Sequence, residues 1–341
     1  MALRHICFLQ ALLANESNEE VVLMYDQYKR KIEYLRVSIT DRCNLRCQYC
    51  RPEVTQHVAH ADILRYEEIL RICRAAAALG ITKFKVTGGE PLLRRDCAAF
   101  IAQLKQLALV QQVTLTTNGT MLPQLLPALK AAGLDCVNIS LDVTDSASYR
   151  QLTGGELKPV LLALNALKEL GLPFKINSVP LVGMGTSNIL SLLKLADKYA
   201  APLRFIELMP LACNSALQGV SGSAIRSLLE QLGLKVTRDS KTYGNGPAAY
   251  YRVQGYQMPV GFIEPLHNKF CGCCNRVRLT SIGLLKPCLY SSEGLDLRQL
   301  LRSGISDAAL QQAIEKMIFA KPMGHSFEKS PAGFSMSQIG G

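Results

Sequence analysis

Between residue 34 and about residue 208 the chain alternates two kinds of pattern. Short runs rich in β-branched residues, at 34–40, 83–87, 113–117, 136–140, 174–180 and 203–208, have the composition of buried strands. Between them, 66–79, 96–107, 121–132, 159–170 and 188–199 carry apolar residues at helical spacing. Gly80, Gly133 and Gly171 stand where helix C-termini are expected. Strand–helix alternation repeated this often predicts parallel strands joined by crossover helices, hence a barrel or a doubly wound sheet. No GxGxxG follows the first strand, which counts against the dinucleotide-binding version. Cysteines and glycine turns gather instead at the C-terminal ends of strands, the rim on which barrels build active sites. After Pro210 the alternation breaks down: 223–232 reads as a helix and 244–261 as loops and short strands. A cysteine-rich block at 270–289, one or two helices and a tail rich in Gly, Ser and Pro follow. The expected division is an extension over 1–25, a barrel over 26–210 and a C-terminal lobe over 211–341.

Composition narrows the picture. Of 341 residues, 48% are hydrophobic, enough for a large core and against intrinsic disorder. Aromatics make up 6% with no Trp, which disfavours a stacking surface for single-stranded nucleic acid. The net charge of +11 points to anionic partners: a polyphosphate, an acidic electron donor or nucleic acid. The basic residues are scattered, with Lys29-Arg30-Lys31 and Arg94-Arg95 the densest groups, which favours small anions. No apolar stretch reaches the ~18–20 residues needed to span a bilayer, so no membrane partner is expected. Arg4 and the apolar run 7–14 lack a small-residue cleavage site, and a cytoplasmic location is expected.

The twelve cysteines are too clustered for a disulfide scaffold and suit metal or redox chemistry. Cys43, Cys47 and Cys50 form CxxxCxxC on the loop after the first strand. Three thiolates can hold three irons of a 4Fe–4S cluster and leave the fourth iron open to a small ligand. A zinc site completed by His57 or His60 is the alternative. Thr87-Gly-Gly-Glu-Pro91 follows the second strand, its glycines allowing backbone carbonyls to approach a ligand. Thr116-Thr117-Asn118-Gly119 and Ser140 end the next two strands with polar groups suited to a ligand, or to turns and caps. The second constellation is Cys271-Gly-Cys273-Cys274-Asn-Arg276-Val-Arg278 with Cys288. It offers three ligands to a second cluster with an open iron. A CxC pairing through Cys273, or a zinc held by all four cysteines, stays open. Cys7, Cys73, Cys97, Cys136, Cys213 and Cys273 read as buried or incidental thiols. Arg36, Lys85, Lys175 and Arg204 lie inside otherwise apolar strands, where an unpaired charge is costly.

CxxxCxxC with Tyr49 before the third cysteine, followed by Thr87-Gly-Gly-Glu-Pro91, resembles the radical S-adenosylmethionine (SAM) superfamily. Phe270–Thr280, then Lys286-Pro-Cys-Leu289 and the final Gly340-Gly341, are similar to the GTP 3′,8-cyclases of molybdenum-cofactor biosynthesis. The resemblance runs from about Asp26 to the C-terminus. It implies an incomplete TIM-type α/β barrel with a C-terminal lobe carrying a second Fe–S cluster. One 4Fe–4S cluster would sit on Cys43, Cys47 and Cys50 and cleave SAM. The other, on Cys271, Cys274 and Cys288, would bind the guanine. The implied reaction is removal of the C3′ hydrogen of GTP by a 5′-deoxyadenosyl radical, then C3′–C8 closure to (8S)-3′,8-cyclo-7,8-dihydro-GTP. Matching positions on the SAM side are Tyr49, Gly89, Ser140 and Met209. On the GTP side they are Arg36, Lys85, Thr116, Lys175, Arg204, Arg276 and Arg278, suited to a triphosphate. Gly340 and Gly341 would enter the site beside the arginines. Implied partners are GTP, a one-electron donor of ferredoxin or flavodoxin type, a downstream cyclic pyranopterin monophosphate synthase and, in one assembly, a second copy as homodimer. No nucleic acid is expected. Lys85 stands where the family usually has Arg, turning a bidentate fork into a point charge. Ile282 stands where a polar turn residue is usual. The alternatives are a radical SAM enzyme with an auxiliary cluster acting on a peptide, and a non-catalytic Fe–S or zinc protein.

Overall fold

The computed structural model describes residues 23–50, 58–211, 214–291 and 293–325. The predicted alternation forms β1 (Tyr34–Ser38), α1 (Tyr66–Ala78), β2 (Lys83–Thr87), α2 (Cys97–Lys105), β3 (Gln112–Thr117), α3 (Leu122–Ala131) and β4 (Cys136–Ser140). It continues through α4 (Ser146–Thr153), α5 (Leu157–Leu170), β5 (Phe174–Ser178), α6 (Gly185–Tyr199) and β6 (Leu203–Ile206). Gly80, Gly133 and Gly171 end α1, α3 and α5 at φ 89°, 80° and 67°, the left-handed region that suits glycine. Helix α4 is the element the pattern did not predict. Its sequence is polar, and it buries only Tyr149, Leu152 and Thr153.

The chain then adds α7 (Gly222–Gln231), β7 (Val236–Arg238), β8 (Ala249–Val253), β9 (Val260–Ile263), β10 (Arg276–Leu279), β11 (Leu284–Lys286), β12 (Leu295–Asp296), α8 (Leu297–Arg302) and α9 (Asp307–Phe319). All twelve strands join one sheet in the order β12-β11-β10-β1-β2-β3-β4-β5-β6-β9-β8-β7. From β10 to β9 neighbouring strands are parallel, and β11, β12, β8 and β7 attach antiparallel at the two edges. This is an α/β barrel left incomplete, with β9 and β10 at the two ends of the parallel array.

Alternation along each strand sets the lining. Leu35 and Val37, Phe84 and Val86, Val113 and Leu115, and Val137 and Ile139 are buried in the core. Their strand neighbours Arg36, Lys85, Thr114 and Asn138 face the lumen. Past α9, residues 321–325 cross the seam between β10 and β9. Lys321 Nζ donates to the Arg276 carbonyl (3.0 Å), and the His325 ring contacts the Pro265 carbonyl (2.8 Å).

Candidate active site

A cavity of about 350 Å³ occupies the lumen, a volume within the range of small-molecule sites. Every described residue expected to bind a cluster, SAM or GTP lines it: all six of Cys43, Cys47, Cys50, Cys271, Cys274 and Cys288; Tyr49, Gly89, Ser140 and Met209; and Arg36, Lys85, Thr116, Lys175, Arg204, Arg276 and Arg278. Gly340 and Gly341 lie outside the described residues. The two cysteine sets sit at opposite ends. Cys43–Cys50 follow β1, whereas Cys271–Cys274 precede β10, which runs parallel to β1. Cys288 follows the antiparallel β11 and joins them.

At the first end, the loop after β1 docks on the turn after β2. Gly89 donates its N–H to Thr40 O (2.8 Å) and Glu90 to Arg42 O (2.7 Å). A Cβ on Gly89 would meet the Arg42 carbonyl carbon at 2.7 Å and Asp41 O at 2.8 Å, and one on Gly88 would meet Thr40 O at 2.7 Å. These glycines therefore let the cysteine loop approach, and both also line the cavity. Cys43 Sγ accepts from Leu45 N (3.4 Å) and lies 3.9 Å from Asn118 Nδ2. Burial, then the negative charges of Cys50, Asp142 and Cys43, pushes the Cys47 thiol well above its ordinary value. Three thiolates crowded this way call for a cationic centre, so the donor set fits an iron–sulfur cluster. Among the described residues, no three His, Cys, Asp or Glu side chains converge tightly enough for a single ion. Cluster cysteines stand apart, one to each iron. His60 is exposed and does not line the cavity, and His57 lies outside the described residues.

Asp142 and Asn214, which the sequence did not single out, and Glu90 of the Thr87–Pro91 motif hold this end together. Asp142 accepts from Tyr49 Oη (2.7 Å) and Val179 N (2.7 Å); burial raises its pKa to about 6 despite both bonds. Asn214 Nδ2 donates to the Tyr49 and Met209 carbonyls, both at 3.1 Å, tying two expected SAM contacts together. Glu90 accepts from Thr117 Oγ1 (2.7 Å), Asn118 N (2.7 Å) and Leu92 N (3.0 Å), while burial raises its pKa to about 7.

At the second end, Cys271–Cys273 form a short 3₁₀ turn. Cys273 is exposed and absent from the lining. Burial alone would raise the Cys274 thiol, but Lys321, Arg276 and Arg30 together with the Arg276 backbone N–H pull it below its ordinary value. That favours the thiolate a metal needs, and Cys271, Cys274 and Cys288 fit a second cluster. Cys73 and Cys97 are buried, while Cys136 is half-buried and lines the cavity. Cys7 and Cys213 lie outside the described residues.

Between the ends runs a belt of cations set by strand register. Arg36 on β1 pairs with Arg278 on β10 and with Lys85 on β2, and Tyr34 pairs with Arg276. Lys175 on β5 aligns with Asn138, and Arg204 on β6 with Asn177. Arg204 donates to Asn177 Oδ1 (2.8 Å) and Asn138 Oδ1, and Lys175 to the Tyr243 carbonyl. Arg36, Lys85, Lys175 and Arg278 are each shifted down, first by burial; cationic neighbours add to this, while Tyr34 pulls Arg36 back up and Cys136 pulls Lys85 and Lys175 back up. Such mutual repulsion makes the lumen a strong attractor for a polyanion. Ile282 sits half-buried in the β10–β11 turn.

Residues 37–196 match the Radical SAM superfamily, and 201–327 match Molybdenum Cofactor Synthesis C. Proteins named GTP 3′,8-cyclase align along nearly the whole chain. That of Heliobacterium modesticaldum is 41% identical over 327 residues, covering 93% of this chain and 100% of its own. That of Geobacter sulfurreducens is 39% identical over 326 residues, covering 93% and 99%. The fold is similar to that of Streptococcus suis SuiB. Bound to S-adenosylmethionine, SuiB superposes with a TM-score of 0.61 at 16% identity over 92% of this chain and 77% of SuiB. Bound to its precursor peptide SuiA, it superposes at 0.63 and 15% identity, over 89% of this chain and 66% of SuiB.

Proposed function

Since the chain belongs to the GTP 3′,8-cyclases of the radical SAM superfamily, we propose that its lumen holds GTP lengthwise between the two cysteine sets. The carrying observation is that one cavity has a cysteine triad at each end and a cation belt between. A 4Fe–4S cluster held by Cys43, Cys47 and Cys50 would supply the one-electron reduction of SAM from which the radical removal of hydrogen from C3′ of GTP and the C3′–C8 closure would follow.

The chain's own residues then have distinct tasks. Cys43, Cys47 and Cys50 hold the first cluster, and Cys271, Cys274 and Cys288 the second. Tyr49, Gly89, Ser140 and Met209 bound the SAM end; Asp142 fixes the Tyr49 ring and Asn214 fixes its backbone. Arg36, Lys85, Lys175, Arg204, Arg276 and Arg278, with Thr116, take the triphosphate and ribose, so anion binding relieves their repulsion. Held this way, C3′ meets the radical in one orientation, and the entropy of alignment is settled at binding. Lys85 supplies a point charge, so its grip is less directional than an arginine fork. His325, the last described residue, lines the cavity. At ~3.3 Å per residue, the remaining 326–341 is long enough for Gly340 and Gly341 to reach the arginines. The barrel over 26–210 and the lobe over 211–341 act as one unit, an acidic one-electron donor meets the first end, and the product passes to the downstream synthase. No described helix is long and apolar enough to cross a membrane.

The test is an anaerobic assay of iron-reconstituted protein with SAM, a strong reductant and GTP, with ATP as control. 5′-Deoxyadenosine and cyclised nucleotide should appear together with GTP alone. SAM cleavage that leaves GTP unchanged would send the search for substrate elsewhere.

A further inference from the structure

The wall carrying the second cysteine set is held by two buried cations from distant parts of the chain. Arg30, 7% exposed, has its Nε on Asp26 Oδ2 at 2.6 Å, and Asp26 Oδ1 accepts from Tyr28 N and Arg30 N. The remaining guanidinium nitrogens donate to the carbonyls of Cys271 (2.8 Å), Pro322 (2.7 Å) and Met323 (2.8 Å), with Lys321 O at 3.5 Å. Lys321, 2% exposed, donates from Nζ to Arg276 O at 3.0 Å and to Pro287 O. Arg276 lies two residues after Cys274, and Pro287 immediately precedes Cys288. Arg30 thus fixes the backbone of Cys271 and the strap 321–323, and Lys321 fixes the segments bearing Cys274 and Cys288. All three cysteine-bearing backbones converge on two linked donors.

Burying two cations is costly unless each is hydrogen-bonded, and here each is. Apolar packing would close the wall as well, but it could not hold inward-turned carbonyls at set positions. It would also place no positive charge beside a group that three thiolates make anionic. The geometry points to Arg30 and Lys321 as positioning residues that preassemble Cys271, Cys274 and Cys288 for cluster insertion. This rests on the reading that those cysteines hold a 4Fe–4S cluster.

The experiment compares the full chain with Lys321→Met, Lys321→Arg, Arg30→Gln and Cys274→Ala, each reconstituted anaerobically with iron and sulfide. Iron per chain, the electron paramagnetic resonance spectrum with and without SAM, and the melt of the cluster-free protein are measured. The wild type should hold about eight irons, and Lys321→Met and Arg30→Gln about four. The remaining signal should respond to SAM as in the wild type. Lys321→Arg should recover much of the loss, and cluster-free melting temperatures should change by about a few degrees. About eight irons in Lys321→Met and Arg30→Gln, with about four in Cys274→Ala, would overturn the inference and leave the cysteine assignment standing. About eight in Cys274→Ala would overturn the assignment itself. Loss of both clusters and of the cooperative melt in every Arg30 and Lys321 variant would make the pair a general support of the fold, and would also overturn it.

Discussion

Gly89→Ala isolates how the first cysteine loop is held. A Cβ there lies 2.7 Å from the Arg42 carbonyl carbon and closer still to its oxygen, where ordinary contact begins at 3.4 Å, so the loop must retreat by more than about 0.7 Å. The atoms in the way are backbone of Asp41 and Arg42, next to Cys43, and no flexible side chain can absorb the shift. Overpacking of this kind typically costs about 1–3 kcal/mol. Weakening the Gly89–Thr40 and Glu90–Arg42 bonds adds about 1 kcal/mol each. A strain of roughly 2 kcal/mol or more disfavours the cluster-ready loop about 30-fold. Gly272→Ala is the matched control, because it makes the same change in the other cysteine loop with nothing within 4 Å. After reconstitution, Gly89→Ala should fall to about four irons and lose the SAM-responsive signal, while Gly272→Ala keeps about eight. A Gly89→Ala protein with full iron and a wild-type response to SAM would refute the close-approach argument.

Burial and the neighbouring Arg204 and Arg36 hold Lys85 well below the usual lysine value. The KM for GTP should therefore climb on the alkaline side in the wild type and climb later in Lys85→Arg; parallel KM–pH curves would count against a direct role for Lys85. Glu90 titrates near 7 when folded against 4.5 when unfolded, so the folded chain binds more protons between them. Its contribution to stability is full below pH 4.5 and is lost as pH rises through about 7, on the order of 3 kcal/mol. Urea unfolding of the cluster-free chain from pH 5 to 8 should show this decline. Glu90→Gln should flatten it from a lower starting point, since its amide nitrogen must face the Asn118 or Leu92 N–H. An unchanged slope in the variant would assign the decline to other groups. Removing Gly340 and Gly341 should lower turnover at least tenfold while leaving the melt within about a degree; equal losses in both would make the tail structural.

Strands β1–β6 were legible because they are short runs rich in β-branched and other apolar residues, and β1, β2, β5 and β6 are interrupted by one or two cations. Those interruptions, Arg36, Lys85, Lys175 and Arg204, marked the lumen-facing positions by their cost alone, since a cation inside an apolar strand needs a polar space to enter. Helix α4 was not legible, because a short polar segment that buries three side chains leaves no helical stripe. The cysteines were legible by spacing. Their supports were not, since Asp142, Asn214, Arg30 and Lys321 act on backbone carbonyls, amides or a tyrosine far away in sequence, and a carbonyl leaves no trace in residue type. Gly88 and Gly89 were noticed, but their service to the approach of the cysteine loop was not legible, because sequence shows that side chains are missing but not what fills the space.

The pairing of β1 with β10 has a consequence for how the protein is made. The two strands stand 242 positions apart, as in the neighbouring contact of Glu33 with Asn275. At about 5–20 residues per second, a nascent chain waits roughly 10–50 seconds between the emergence of the two. During that interval one edge of β1 is unpaired, beside a loop of three thiols and open to intermolecular pairing. Long-range closure of this kind is slow even in the finished chain. Poor yields of the cluster-free protein would then reflect the order of synthesis, and slower translation with iron and sulfide supplied would be the condition to change first.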